Sequence, residues 1–141
     1  MTVYAQPGTR TVGYLVRALD DALDEVLACT LGGFGLTRLD WQVLTVLRDE
    51  RLGPAGSVSV LDLQREMLAD PYAVSETLAG LRVRGWLTPT FAVTESGERL
   101  YQRAAVKVDA VGAGLVAGLA PDECAQAARV LELMLDNLDR L

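Results

Sequence analysis

The chemistry available to this chain is set by acids and by the lack of a base. Asp20, Asp21, Asp24 and Glu25 crowd into six positions. On a helix that spacing clusters carboxylates on a common side, as a cation site or a proton-sharing pair would need. The 141 residues include no histidine. The usual general base and the commonest metal ligand are therefore missing, which excludes Ser-His-Asp, Cys-His and zinc-protease chemistry. The acids then read as a solvated helix face, and no metal or catalytic residue is assigned. Cys29 and Cys124 form no CxxC pair. Within helical patterns they read as small apolar residues, with redox sensing as the alternative.

A second kind of chemistry lies in "DPYAVSETLAGLRVRGWL", Asp70 to Leu87. Aspartate followed by proline is a helix start. Val74, Leu78 and Leu81 form its buried row, which turns Tyr72, Ala73, Ser75, Glu76 and Ala79 or Gly80 outward. Tyr72 and Ser75 can bond phosphates or base edges, and Glu76 can accept from a cytosine amino group. The other reading is a solvated Glu76 on a helix that touches no DNA. Arg82 and Arg84 are candidate phosphate ligands, with a salt bridge inside its own lobe favoured for Arg84.

Apolar residues at steps of three and four build the supporting frame. Val12, Leu15, Val16, Leu19, Leu23, Val26 and Leu27 predict a helix over residues 11–32, stopped by "LGGFG". Thr37 with Asp40 predicts a capping box opening a second helix, with Leu39, Val43, Leu44 and Leu47 inside and Trp41 off the row. Ser59 to Leu68 predicts a short third helix. Gly85 ends the helix that starts at Asp70. "WLTPTFAVT" predicts two short strands in a tight hairpin, with Trp86 packed beneath. A long helix then runs from Thr94–Glu95 to about Leu119, and "LAPDE" opens a last one. The predicted fold is mostly α: a winged helix-turn-helix lobe (37–94) between long terminal helices (11–34 and 95–141). Those terminal helices carry more apolar surface than one small domain can cover, so a two-fold dimer is expected.

Bulk composition narrows the partners. With 13 basic and 19 acidic residues, the net charge of −6 runs against the basic excess usual in nucleic-acid binders. No secretory leader is read at the N-terminus, and "AVGAGLVAGLA" is too short to span a bilayer. A cytoplasmic protein without membrane contact is expected.

The segments "LTRLDWQVLTVL", "VSVLDLQREMLADPYAVSETLAGLRVRGWLT" and "VTESGERL" resemble, in order and spacing, the MarR family of bacterial transcription regulators. The resemblance covers nearly the whole chain, and "RGWLT…VTESGERL" is its most specific piece. It implies a homodimer on a palindromic double-stranded operator, commonly as a repressor, released by a small-molecule effector. It carries no cofactor. The DNA contacts it implies fall on Tyr72, Ala73, Ser75, Glu76, Arg82 and Arg38, with Arg48 and Arg51 as further contributors from the second helix. The ligand cleft falls on Leu15, Leu19, Trp41 and Tyr101; for the two aromatics a plain core position is the other reading.

Two departures from the family pattern bear on function. The stretch between Gly85 and Thr94 lacks charge, so the wing is short and its usual minor-groove arginine has no counterpart. Glu76 stands where the family often has arginine, and Ser57 to Thr94 holds three basic against four acidic residues. Two alternatives follow. One is a scaffold that has left DNA for small-molecule binding, or for catalysis through Asp40 or Glu95. The other is a heterodimer partner of a related, more basic DNA binder.

Overall fold

The computed structural model describes residues 11–49 and 70–141. The helix expected over Ser59 to Leu68 and the side chain of Arg51 lie outside the described residues. Five helices are described: α1 (Val12–Gly32), α2 (Arg38–Leu47), α3 (Pro71–Val83), α4 (Glu95–Leu115) and α5 (Pro121–Asp139). Two compact units divide the chain, Met1–Val108 and Asp109–Leu141.

Local rules set the helix ends in the first unit. Thr11 caps α1 by accepting from the Tyr14 N–H at 3.1 Å. The capping box of α2 closes both ways: Asp40 N–H donates to Thr37 Oγ1 at 3.0 Å, and Thr37 N–H to Asp40 Oδ2 at 2.9 Å. Asp70 caps α3 through the Ala73 N–H at 3.3 Å. Gly85, at φ 82°, ends α3 in the left-handed conformation. Trp86 N–H then reaches back to Leu81 O, and Gly85 N–H to Arg82 O. This Schellman arrangement satisfies two carbonyls that the helix end would orphan.

The core follows the predicted rows. Leu31 and Leu36 bring in the end of α1 and its turn, Val43 and Leu44 come from α2, and Val74, Leu78 and Leu81 from α3. Leu87, Leu100, Tyr101 and Ala104 complete it from the wing and α4. The N-terminal part of the α1 stripe stays outside this core: Leu15, Val16, Leu19 and Val26 are about half exposed in the single chain.

The wing is smaller than two strands. Pairing is confined to one antiparallel bridge, Leu87 to Val93. Thr88 N–H donates to Ala92 O at 2.8 Å, and Phe91 N–H to Thr88 O at 2.9 Å. Pro89 offers no N–H, and Phe91 sits at φ 65°, so the turn uses up the residues that longer strands would need. Thr94 links wing to helix. Its hydroxyl donates to Gly85 O at 2.8 Å and accepts from the Gly97 N–H at 3.0 Å, capping α4.

In the second unit the predicted helix to Leu119 stops at Leu115 instead. Bonds tighten to Ala117 N–H on Gly114 O, and Gly118 turns to φ 83°. Glycines at 112, 114 and 118 weaken the helix where it ends. Glu123 then accepts from the Ala120 N–H at 2.9 Å at the start of α5. No residue of α5 is buried, and Leu133, Leu135 and Leu138 are exposed in the single chain.

Gly97 is a position of close approach. A Cβ there would collide with the Trp86 carbonyl oxygen and press on Val93 Cγ1. Gly97→Ala is expected to destabilise the fold by about 1–3 kcal/mol, the usual range for overpacking. Urea unfolding at fixed protein concentration checks this, and an unchanged midpoint would contradict it.

Candidate functional site

α3 presents its surface in the predicted register. Tyr72 is 69% exposed, and Ser75, Glu76 and Ala79 are exposed with it. Ala73 and Gly80 are half-buried beside the buried row. Glu76 lies one turn beyond Tyr72 on the same exposed face, and its carboxylate, placed to accept from the phenol, pushes the tyrosine pKa up.

The cations expected to join this surface have other engagements. Arg38 lies 3.4 Å from Asp20 and 3.2 Å from Asp24, so two members of the acidic face on α1 hold it. Arg84 turns inward, donating to Gly35 O at 2.6 Å and to Asp40 Oδ2 at 3.1 Å, with its guanidinium 4.5 Å from the Trp86 ring centre. This is the salt bridge favoured from sequence. Arg82 remains exposed on the last turn of α3, with its guanidinium 5.7 Å from the Phe91 ring centre. Among the described residues no group of three or more acids or cysteines could hold a metal ion.

Arg48 belongs to a different cluster. Its Nε and Nη2 donate to the two oxygens of Glu98 at 2.8 and 2.7 Å. The guanidinium stands 3.9 Å from the centre of the Tyr101 ring. Trp41 stacks on that same ring, with centres 4.1 Å apart and planes within 1°. Thr45 donates its hydroxyl proton to Trp41 O, so the Tyr101 hydroxyl, 3.0 Å away, is the donor to Thr45. The two aromatics expected around a cleft thus meet face to face and fill the space between them. Leu15 and Leu19 stay on the exposed side of α1, apart from this stack in the core cluster.

Of the acids weighed for catalysis, Asp40 is 5% exposed and spent on its cap and on Arg84. Glu95 is exposed and 3.4 Å from Arg99. Cys29 is exposed and Cys124 half-buried, both as free thiols. The expected buried thiol at position 29 is therefore corrected: Leu27 and Leu31 take the core side of this part of α1, and Cys29 is exposed in the single chain. Sequence reading missed an open groove of about 530 Å³, lined by Trp86, Glu98, Gln102, Arg99 and Arg103 among others. The i, i+4 pair of arginines on α4 is its only legible sign. Among the described residues no helix is long and apolar enough to cross a membrane.

Glu98 supplies a pH signature. Its hydrogen bonds from Arg48 and Gln102 lower its pKa from 4.5 to about 2. A depressed carboxylate pKa stabilises the fold above the unfolded value, and that contribution is lost as pH falls through the folded value. The thermal midpoint of Glu98→Gln is expected below that of the parent near neutrality. The gap should close as the pH falls from 4.5 toward 2. Because the pair is partly exposed, solvent screening keeps the effect modest. Melting curves across that range check it; a gap independent of pH would contradict it.

No family model and no curated protein matches this chain. Solved structures do. The MarR-family protein Rv2887 of Mycobacterium tuberculosis, in complex with DNA, is 26% identical, with 89% of this chain and 98% of that chain covered and a TM-score of 0.70. The same protein with salicylic acid is 26% identical over 87% and 97% of the two chains, with a TM-score of 0.68. MepR of S. aureus, also solved with DNA, is 21% identical over 91% and 96%, at a TM-score of 0.78, which speaks for the fold.

Proposed function

We propose that this winged-helix chain is a regulator of the MarR family: homodimeric, ligand-responsive and acting as a repressor on a palindromic operator. The observation that carries the reading is α3. It is a capped helix with three buried residues on one side and Tyr72, Ser75, Glu76 and Ala79 free on the other. A helix held this way can enter a major groove with its early residues on base edges. Fold-sharing proteins solved on DNA support the same use.

The dimer reading rests on apolar surface. α1 leaves Leu15, Val16, Leu19 and Val26 about half exposed, and α5 leaves Leu133, Leu135 and Leu138 exposed. Rows of this length on regular helices fit a second copy of the same chain. We assign effector binding to the region of Trp41 and Tyr101 with Leu15 and Leu19 of α1. A planar ligand that enters there must displace one ring of the stack. The salicylic acid bound by Rv2887 is such a ligand.

A second reading, a scaffold that binds small molecules without DNA, is favoured by one observation. Arg38, Arg48 and Arg84 are each held by a carboxylate. Titration against duplexes from the gene's own upstream region separates the two readings. The regulator reading expects saturable, sequence-dependent binding. With Arg38, Arg48 and Arg84 held by carboxylates, the slope of log K on log salt should be shallow, on the order of −2 to −4. Absence of binding at low salt, with a ligand-induced rise in melting temperature, would favour the second reading.

Pairing is checked by light scattering. The parent is expected at twice the chain mass. Leu135→Glu with Leu138→Glu is expected to run at the mass of one chain, because two charges would have to be buried unpaired. A dimer that survives both substitutions removes α5 from the interface.

A further inference from the structure

We propose that Glu76 specifies a cytosine in the operator by accepting a hydrogen bond from its exocyclic amino group, and that Tyr72 is the residue that positions the Glu76 carboxylate. The inference rests on the DNA-binding reading above and goes further by naming the base and the pair of side chains that read it.

The argument begins with what α3 can present. Val74, Leu78 and Leu81 are committed to the core. Ala73 and Ala79 offer only methyl groups, and Ser75 a short hydroxyl. Arg84 is turned into the lobe, and Arg82 lies on the last turn beside Phe91. Glu76 is the charged side chain on the outer face of the first two turns, and it is exposed. A carboxylate there repels phosphates, so a helix placed in a groove keeps it at a cost unless it meets a donor.

The chemistry of the base edges then selects the partner. An ionised carboxylate only accepts. Guanine presents two acceptors in the major groove, and thymine an acceptor and a methyl group; neither suits it. Adenine presents an amino donor with the N7 acceptor next to it, which would oppose a carboxylate. Cytosine presents the amino donor alone, so it is the preferred partner.

Tyr72 completes the unit. It stands one turn before Glu76 on the same face, as i, i+4 residues do. From that exposed position the phenol is placed to donate to one carboxylate oxygen and restrict its rotamers, leaving the other oxygen for the base. Part of the entropy of ordering an exposed glutamate is then met before DNA arrives.

The experiment selects bound duplexes from a randomised library, at fixed low salt, with the parent, Glu76→Gln, Glu76→Ala and Tyr72→Phe. The parent is expected to enrich C·G at one base pair and its symmetry mate, by roughly tenfold over other pairs. Glu76→Gln should move the preference at that pair to A·T, since the amide can both donate to N7 and accept from N6. Glu76→Ala should lose the preference there and leave other positions unchanged. Tyr72→Phe should keep cytosine but weaken the preference a few-fold, with an unchanged melting temperature.

If the parent selects no sequence at all, the DNA-binding reading fails and this inference with it. If the parent selects a site but Glu76→Gln and Glu76→Ala strengthen binding uniformly, Glu76 only repels phosphates and the base assignment is overturned. A Tyr72→Phe profile identical to the parent's overturns the positioning role.

Discussion

The Asp40 carboxylate, 5% exposed, accepts from the Thr37 N–H and from the Arg84 guanidinium, while Arg84 also reaches Gly35 O. The turn after α1, the first turn of α2 and the end of α3 therefore meet at one buried charge. The arrangement is tolerable because each group has its partner, and among the described residues no buried side-chain polar atom is left without one. Removing Arg84 would leave the buried Asp40 carboxylate without its cation, whereas the exposed Arg84 would still meet water, so the constraint comes from the buried member. Arg84 is the C-cap of α3, so this charge fixes where the outward face of α3 lies relative to α2.

Satisfying charges inside the lobe has an electrostatic consequence outside it. Arg38, Arg48 and Arg84 belong to ion pairs that span α1 to α2, α2 to α4 and α2 to α3. Each ties two elements together, and each takes a cation from the pool that could neutralise phosphates. A chain with a net charge of −6 has few to spare. For the proposed DNA-binding role, affinity drawn from counterion release would then be small, and discrimination would have to come from contacts with base edges. An acidic outer face on α3 fits that division, because a carboxylate in a groove is selective through what it excludes.

The terminal helices meet a different constraint. A helix with apolar residues every three or four positions must cover that stripe. The C-terminal end of α1 covers its share with Leu31 in the lobe core, while its N-terminal turns and α5 do not. In the proposed dimer the second copy would cover those turns, which would couple stability to assembly.

Helix ends were legible in the amino-acid order because the interactions that make them are local. The Thr37–Asp40 box, the Asp70–Pro71 start and the stop at Gly85 each involve residues within a few positions, so spacing alone encodes them. The same holds for the outward row of α3. The wing was overestimated because strand length depends on how many residues the turn consumes. The reach of α4 was overestimated because a run of glycines fixes no single end. The partners of Trp41, Arg48 and Arg84 were not legible: Tyr101, Glu98 and Asp40 lie 44 or more residues away. Periodicity tells which way a side chain points and not what it meets. A stacked ring or a bidentate ion pair is selected among many compatible partners only when the helices pack, because the energy that decides it exists only in the assembled core.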